Sequence, residues 1–165
     1  MTTTIGPDRS YFFFTKTTGA DQGQFPSDPD RGSQHGGICY RFRFGGTASN
    51  DPTRGGDHAA RSHEPVFILK PWDEASAHYV QAFWKNEILS TVEMTFVRRD
   101  SAGSEVALET ITLKNATIAS LKRHVGEIDG LPYAELEEIG FRFEQMEIQA
   151  KGAKKSVRFD FKNRK

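Results

Sequence analysis

Alternation of apolar and polar residues dominates this chain and predicts mainly β structure. In several segments every second residue is apolar, which is the period of a strand with one buried face. Glycine- and proline-rich stretches separate several of these segments. The predicted strands lie at residues 11–14, 38–44, 66–69, 91–98, 106–113, 116–125, 139–148 and 157–161. Strands at this spacing are typical of an antiparallel β-barrel or sandwich.

The strand at residues 38–44 shows the clearest alternation. One side is apolar and is expected to be buried; it carries Ile38, Tyr40, Phe42 and Phe44. The other side is expected to be polar and carries Cys39, Arg41 and Arg43. No base is indicated near Cys39, so a structural or interface thiol is a better interpretation than a nucleophile.

After Pro71 the apolar period becomes helical. Ser76 is a suitable N-cap, because its hydroxyl can accept a hydrogen bond from the first turn. Tyr79, Ala82 and Phe83 then share one face. The spacing predicts one short helix over Ala77–Lys85, docked on the sheet by Tyr79 and Phe83.

The strand phases also predict a core and two irregularities. Changes of apolar phase indicate β-bulges near Glu109 and near Glu144–Gln145. The aromatic and methionine side chains expected to be largely buried and in mutual contact are Phe42, Phe44, Phe67, Met94, Phe96, Phe141, Phe143 and Phe159.

Length and composition favour one domain, residues 1–165, with long polar loops at about 17–37 and 45–62. Lys plus Arg and Asp plus Glu both number 22, which argues against a general polyanion binder. The single cysteine cannot form an internal disulfide and suits a reducing compartment. We identify no apolar signal sequence at the N-terminus and no stretch long enough for a membrane helix.

Candidate catalytic and ligand-binding groups are weak. The five histidines, His35, His58, His63, His78 and His124, lack metal-ligand spacing. Glu137 and Glu138 are adjacent on a predicted strand, so they point to opposite faces and suit acid–base chemistry poorly. The glycine pairs lack the ending of a phosphate loop. We therefore predict no catalytic residue, no metal and no cofactor.

Basic residues near the C-terminus offer a nucleic-acid interpretation. A solvated strand end is favoured over it, because the net charge is zero. These residues are Lys151, Lys154, Lys155, Arg158, Lys162, Arg164 and Lys165.

Three stretches together resemble the haemolysin-coregulated proteins, the Hcp family of the bacterial type VI secretion system. The first, Lys70–Ala82, contains a lysine and an Asp-x-Ala-Ser turn before the helix. The second is Ile111–Leu121, with Leu-Lys-Asn-Ala-Thr-Ile at its centre. The third is the glutamate-led Glu137–Met146, and residues 158–162 resemble the closing strand of the family. The resemblance covers roughly residues 63–162.

The resemblance implies a structural protein rather than an enzyme. It implies a small β-barrel flanked by one helix, related to phage tail tube proteins and assembled as a homohexameric ring. Rings would stack into an inner tube, contact sheath proteins and a spike protein of the VgrG type, and carry effector cargo. The protein would assemble in the cytoplasm and leave the cell without a signal peptide, with no nucleic acid bound and no membrane insertion. The alternative is a monomeric β-barrel that binds a ligand or nucleic acid.

The second long loop is the candidate assembly arm. In the family an extended loop between early strands reaches a neighbouring subunit, and residues 45–62 occupy the corresponding place. Mixed charges across a subunit boundary would set register more than affinity. The charged and polar side chains of this expected interface are Asp51, Arg54, Asp57, His58 and Arg61.

Overall fold

A computed structural model describes residues 11–27, 35–48, 61–126 and 135–161. Within these ranges the chain forms twelve strands and one helix. In chain order they are β1 (Tyr11–Gly19), β2 (Gly23–Gln24), β3 (Gly37–Cys39), β4 (Arg41–Arg43), β5 (Gly46–Ala48), β6 (Arg61–His63), β7 (Val66–Pro71), α1 (Ser76–Trp84), β8 (Leu89–Arg99), β9 (Glu105–Val125), β10 (Glu135–Arg142), β11 (Gln145–Ala150) and β12 (Ser156–Asp160).

The strands form a folded antiparallel sheet, which confirms the predicted fold class. The main path runs β2–β1–β8–β9–β10–β7–β4, while β11 pairs with β9 and β12. The sheet folds into a sandwich rather than closing as a barrel. β5 and β6 form a separate two-stranded ladder. The one helix in the described ranges has nine residues and is too short and too polar to cross a membrane.

Strand β9 belongs to both layers of the sandwich. Its first part pairs with β8 and β11, and its second part pairs with β10. The two parts meet at Asn115, whose φ of 51° is left-handed, a conformation that asparagine tolerates well. Opposite, Glu144 separates β10 from β11 and accepts a 3.1 Å hydrogen bond from the Asn115 side-chain amide. The change of phase predicted near Glu144–Gln145 is therefore a bend between layers.

The second irregularity lies in the β8–β9 ladder. Phe96 pairs with Glu109 and Val97 with Ala107, so Leu108 is the extra residue of a bulge. The bulge predicted near Glu109 is confirmed. The extra residue shifts the alternation of apolar and polar residues by one position in the rest of β9.

The expected core residues differ in how far they are buried. Met94, Phe141 and Phe143 are buried, and Phe42, Phe44 and Phe96 pack against the same core while partly exposed. Phe67 is half-buried on an outward face, with the Arg43 guanidinium 4.4 Å from its ring centre.

Phe159 contradicts the expectation of burial, since 41% of it is exposed. Among described strands, β12 pairs with β11 alone and forms an edge. The face that carries Phe159 looks into a groove beside the β5–β6 hairpin. Alternation correctly indicated a strand here, but it carries no information on whether a second layer covers that strand.

The strand predicted at 38–44 is two strands, and the expected polar face for Cys39 is wrong. β3 pairs with β1, whereas β4 pairs with β7. Tyr40 lies between them, and its N–H donates to the Leu69 carbonyl at 2.8 Å. The break turns Cys39 into the core, where none of it is exposed.

Both predicted loops contain ordered strand at their ends. In the first, β1 continues to Gly19, β2 follows, and Phe25 is buried with 3% exposure. The expectation of an exposed loop from residue 17 is therefore wrong for this part. In the second, β5 and β6 pair, and the hydroxyls of Thr47 and Ser62 lie 3.0 Å apart. Residues 28–34 and 49–60 lie outside the described ranges.

Candidate functional site

One residue of the predicted assembly interface, Arg61, lies within the described ranges. Asp51, Arg54, Asp57 and His58 lie outside the described residues. Arg61 is the first residue of β6 and is exposed. Its interface role stays a prediction.

Two of the described histidines, His63 and His78, pack against aromatic rings. His63 lies 4.9 Å from the Phe143 ring and 4.5 Å from the Phe161 ring. His78 lies 5.4 Å from the Phe25 ring. In the part of the chain that the structure describes, no group of three or more His, Cys, Asp or Glu could hold a metal.

A buried ion network lies between the end of β7, the start of α1 and the start of β10. The Lys70 ammonium donates to the Glu137 carboxylate at 2.6 Å and lies 3.0 Å from the Asp73 carboxylate. It also donates to the Pro71 carbonyl at 2.9 Å. The side chains of Lys70, Asp73 and Glu137 are at most 4% exposed. Charges this deeply buried are tolerated only when they are paired and hydrogen-bonded.

Ser76 joins the network instead of capping α1 with its side chain. Its hydroxyl donates to Glu137 at 2.7 Å and accepts from the Asp73 N–H at 2.9 Å. The N-cap is Ala75, which has no side-chain cap hydrogen bond, so the predicted cap at Ser76 is wrong. The Asp73 carboxylate instead accepts from the Ala75 N–H at 2.9 Å. The Asp-x-Ala-Ser motif thus ties the start of the helix to β10.

Arg123 lies between the buried network and solvent. Its Nε lies 3.4 Å from Glu137 Oε2, an oxygen that has no hydrogen bond within the described residues. Its guanidinium lies 4.0 Å from the centre of the Trp72 ring, and Trp72 Nε1 donates to the Leu136 carbonyl at 3.1 Å. Two cationic and two anionic side chains therefore balance, and only Arg123 reaches water appreciably, with 38% exposure.

The geometry does not support acid–base catalysis by the adjacent glutamates. Glu137 is fully buried, whereas Glu138 lines a surface groove on the other side of β10. The sequence analysis singled out four residues of the network, Lys70, Asp73, Ser76 and Glu137, but it missed Arg123 and missed that these side chains meet. The family resemblance already grouped these residues, because Lys70, Asp73 and Ser76 belong to its first stretch and Glu137 begins its third.

Two potentially reactive groups beside the network are held in their neutral forms. Burial raises the pKa of the Cys39 thiol from 9.0 to about 12, against the opposing effect of a hydrogen bond with Thr15. Burial likewise raises the pKa of Tyr79 well above its ordinary value, although its hydroxyl lies 2.7 Å from that of Thr17. A thiol with so high a pKa is a poor nucleophile at neutral pH. Tyr79 fixes α1 to β1.

The surface carries large apolar side chains that the fold leaves exposed. Trp84, the last residue of α1, is 78% exposed, and Ile88, just before β8, is 53% exposed. Val125 at the end of β9 is 74% exposed. Exposed apolar residues that cluster, unlike isolated ones, mark interaction surfaces.

Two grooves lie on the same molecule. One, of about 780 Å³, follows β4 and β7 and includes Arg41, Arg43, His124 and Glu138 in its lining. The other, of about 390 Å³, lies between the β5–β6 hairpin and β11–β12. We call the second one the hairpin groove. It is lined by Phe44, residues 46–48 and 61–63, Met146, Ile148, Phe159 and Phe161.

Comparison with known proteins gives a consistent result. The family model described as "Type VI secretion system effector, Hcp" matches residues 31–149. A Pseudomonas aeruginosa protein named "Major exported protein" is 28% identical over 99 residues. That match spans 58% of this chain and 58% of the length of the relative.

Solved structures share the fold over nearly the whole chain. A structure titled "Crystal structure of Hcp protein" has a TM-score of 0.79 at 20% identity, covering 92% of this chain and 98% of that one. Secreted protein Hcp3 from Pseudomonas aeruginosa has a TM-score of 0.71 at 22% identity, with the same coverages. Hcp1 from Escherichia coli has a TM-score of 0.74 at 16% identity, covering 90% and 97%. The network and the two grooves therefore lie on a fold that recurs among these proteins.

Proposed function

This chain belongs to the Hcp family of the type VI secretion system, and from that membership we propose that it is the subunit of the system's inner tube. The observation that carries the proposal is the family match over residues 31–149. The protein acts by assembly: copies form a hexameric ring, and rings stack head to tail. The exposed apolar side chains at the end of α1 support it, since a monomer gains nothing from leaving them in water.

The buried network supports a positioning role rather than chemistry. It locks the start of α1 to β10 through Ser76 and Glu137, 2.7 Å apart. A rigid helix is what a repeated subunit contact needs, because flexible groups lose entropy on binding. The neutral Cys39 and Tyr79 beside it offer no nucleophile.

The test is molar mass in solution together with electron microscopy. Light scattering on the eluting protein should give six copies of the 18.5 kDa chain, about 111 kDa. Micrographs should show rings, with short stacks at high concentration. A monomer at micromolar concentration that binds nucleic acid in a salt-sensitive way would instead establish the alternative, a monomeric binding module.

The β5–β6 hairpin is the base of the proposed assembly arm. Its paired residues 46–48 and 61–63 hold the two ends of the intervening segment together. Replacing residues 49–60 with a short Gly-Ser turn leaves that ladder intact. Rings that persist while stacking fails would support the arm, and unchanged stacking would remove it from the assembly.

We place the spike protein, the sheath and effector cargo as partners of the assembled tube. The protein folds in the cytoplasm and is exported through the machine. Supernatant from cells with and without a functional machine measures this directly, with a cytoplasmic enzyme as the lysis control. Equal amounts in both supernatants without lysis would contradict the route.

A further inference from the structure

We propose that the buried carboxylate of Glu87 is a binding site for a cationic N–H donor, which is an ammonium or guanidinium group. The site lies where residues 20–22, the turn between β1 and β2, meet residues 85–88, the connection from α1 to β8. The N–H of Ala20 joins the two segments by donating to the Ile88 carbonyl at 2.8 Å. The cation is either a free amine or a basic side chain of a second copy, and only the second source rests on the proposed ring.

Glu87 carries a negative charge that the described residues do not balance. The residue is 3% exposed, yet no described cationic side chain forms an ion pair with it. Within the described residues, Oε2 accepts one long hydrogen bond of 3.4 Å from Gln22, and Oε1 accepts none. By contrast, the buried carboxylates of Asp73 and Glu137 lie 3.0 Å and 2.6 Å from the Lys70 ammonium. A buried carboxylate is costly unless it is paired and hydrogen-bonded, so Glu87 requires a cation from outside these residues.

The backbone holds the Glu87 carboxylate in place. Asn86 reverses the chain after α1 with a φ of 49°, a left-handed conformation that asparagine tolerates. The N–H of Glu87 then donates to the Ala82 carbonyl at 2.9 Å. On the other side, a Cβ at Gly19 would collide with Glu87 Oε2, so the carboxylate fills the space that this glycine leaves at the end of β1. A carboxylate that is fixed before the ligand arrives loses little entropy on binding.

The side-chain nitrogen of Gln22 marks the position of a cationic nitrogen. It donates to the His78 carbonyl at 3.0 Å and to Glu87 Oε2 at 3.4 Å, so one nitrogen bridges a carbonyl and a carboxylate. The Gln22 amide supplies N–H groups but no charge. An ammonium or guanidinium nitrogen in the same position would supply both, and charge-assisted hydrogen bonds are about twice as strong as neutral ones. Gln22 is half-buried in a surface turn, so its side chain can turn towards solvent and give up this position.

Other ligands suit the site less well. A calcium or magnesium ion needs about six oxygen ligands, and the described part of the chain has no group of three or more His, Cys, Asp or Glu that could hold a metal. A water molecule would satisfy Oε1 but would leave the charge unbalanced. The exposed side chains of Asp21 and Lys85 offset each other at the nearby surface. The attraction for a cation therefore comes from the buried carboxylate itself.

Melting temperatures in three chloride salts, measured at one low protein concentration, test the site. Methylammonium has a charge and N–H donors, tetramethylammonium has the charge alone, and sodium is the reference at the same ionic strength. Binding to the folded chain raises its melting temperature in a saturable way. We expect methylammonium to raise the melting temperature of the parent by about 2–4 °C above its value in sodium chloride, and tetramethylammonium to leave it unchanged.

Three variants locate the effect at Glu87. Glu87→Gln removes the charge, and Gln22→Lys supplies an ammonium group from the chain itself. Both should melt above the parent in sodium chloride, and neither should respond to methylammonium. Glu74→Gln is the matched control, because Glu74 is exposed and lies outside the site; it should keep the parent's melting temperature and response. Circular dichroism establishes that each variant is folded.

Light scattering over a concentration series separates the two sources of the cation. If the ligand is a free amine, Glu87→Gln keeps the midpoint at which rings of the parent dissociate. If the ligand is a basic side chain of a second copy, rings of Glu87→Gln dissociate at protein concentrations at least tenfold higher, and methylammonium weakens rings of the parent by competition. A variant whose chain is more stable while its rings are weaker cannot owe the weaker rings to a loss of folding.

Two results would overturn this inference and leave the proposed function standing. The first is a parent that does not respond to methylammonium, together with unchanged ring dissociation in Glu87→Gln. The second is an equal methylammonium response in the parent and in Glu87→Gln, because the amine would then bind elsewhere. A parent that is monomeric at every concentration would instead overturn the proposed function and exclude the second copy as the source, and the melting temperatures would then decide whether a free amine binds.

Discussion

The Lys70 ammonium offers a quantitative test of how this fold is held together. Lys70→Met keeps the unbranched stem and removes the charge. Two buried carboxylates then lose their closest cation, since Glu137 lies 2.6 Å and Asp73 3.0 Å from the Lys70 nitrogen. Arg123, at 3.4 Å from Glu137, is the remaining charged partner. Removing one member of a buried pair destabilises by about 3–5 kcal/mol, and we expect a loss of that size.

Glu137→Gln should be milder. The amide oxygen can still accept from the Ser76 hydroxyl, now 2.7 Å from the carboxylate, and Lys70 keeps Asp73 as its counter-ion. We expect a loss of about 1–3 kcal/mol. In the double variant with Lys70→Met, Glu137→Gln removes one of the two carboxylates that have lost the Lys70 ammonium. The double variant should therefore be more stable than additivity predicts, by about 1–3 kcal/mol.

Urea unfolding at neutral pH measures the stability of the parent, the two single variants and the double variant. One fixed protein concentration is used throughout, because the apparent stability of a self-associating protein depends on its concentration. Lys122→Met is the control: this neighbour of Arg123 is exposed, and its midpoint should match the parent's. A loss below about 1 kcal/mol for Lys70→Met, or strict additivity in the double variant, would refute the view that Lys70 serves two carboxylates.

Three further predictions follow from burial. Phe141→Ala should lower the free energy of unfolding by about 3–5 kcal/mol, because Phe141 is fully buried. Phe159→Ala, at a site that is 41% exposed, should cost well under half of that. Comparable losses in the two variants would show that β12 is covered. Burial raises the Cys39 pKa from 9.0 to about 12, so the stabilising contribution of the thiol is complete below pH 9 and is lost as the pH rises towards 12. The urea midpoint of Cys39→Ala should therefore fall less than that of the parent between pH 9 and 10. Midpoints that fall in parallel with pH would contradict this. Gly140→Ala would place a Cβ 2.5 Å from a hydroxyl oxygen and 2.8 Å from a ring carbon, so thermal melting should show a loss of about 1–3 kcal/mol, and an unchanged melting temperature would contradict this packing.

Alternation predicted the strands well because a strand with one covered face must repeat every second residue. It failed at Tyr40, where a bend re-phases the chain and turns Cys39 inward. It also failed at Phe159, since an edge strand keeps its alternation whether or not a layer covers it. The local pattern describes one strand at a time, and coverage is a property of the assembled sheet.

The contacts of the ion network could not be predicted from the sequence for a different reason. Lys70 and Glu137 are 67 residues apart, so no local period connects them. Ser76 has the residue type and position of an N-cap, yet tertiary contact with Glu137 decides where its hydroxyl points. The resemblance did bring these residues forward, because motifs of a shared fold include the polar groups that hold its elements together.

The exposed Trp84 illustrates a third limit. Trp84 could equally have faced the core, since the predicted helix carries Val80 and Trp84 on a stripe that adjoins the Tyr79 face. Only the docked position of Tyr79, with 2% exposure, shows which stripe is left outside.

The pairing of strand β9 has a consequence for how the protein unfolds. Because its first part pairs with β8 and β11 and its second part with β10, separating the two layers breaks backbone ladders on both sides of Asn115. Partial opening is thereby penalised, and loss of either layer leads to loss of the other. Amide protons in the middle of β9 should exchange with solvent only through global unfolding, at the slowest rates in the molecule. We therefore expect the protein to unfold and refold as one cooperative unit.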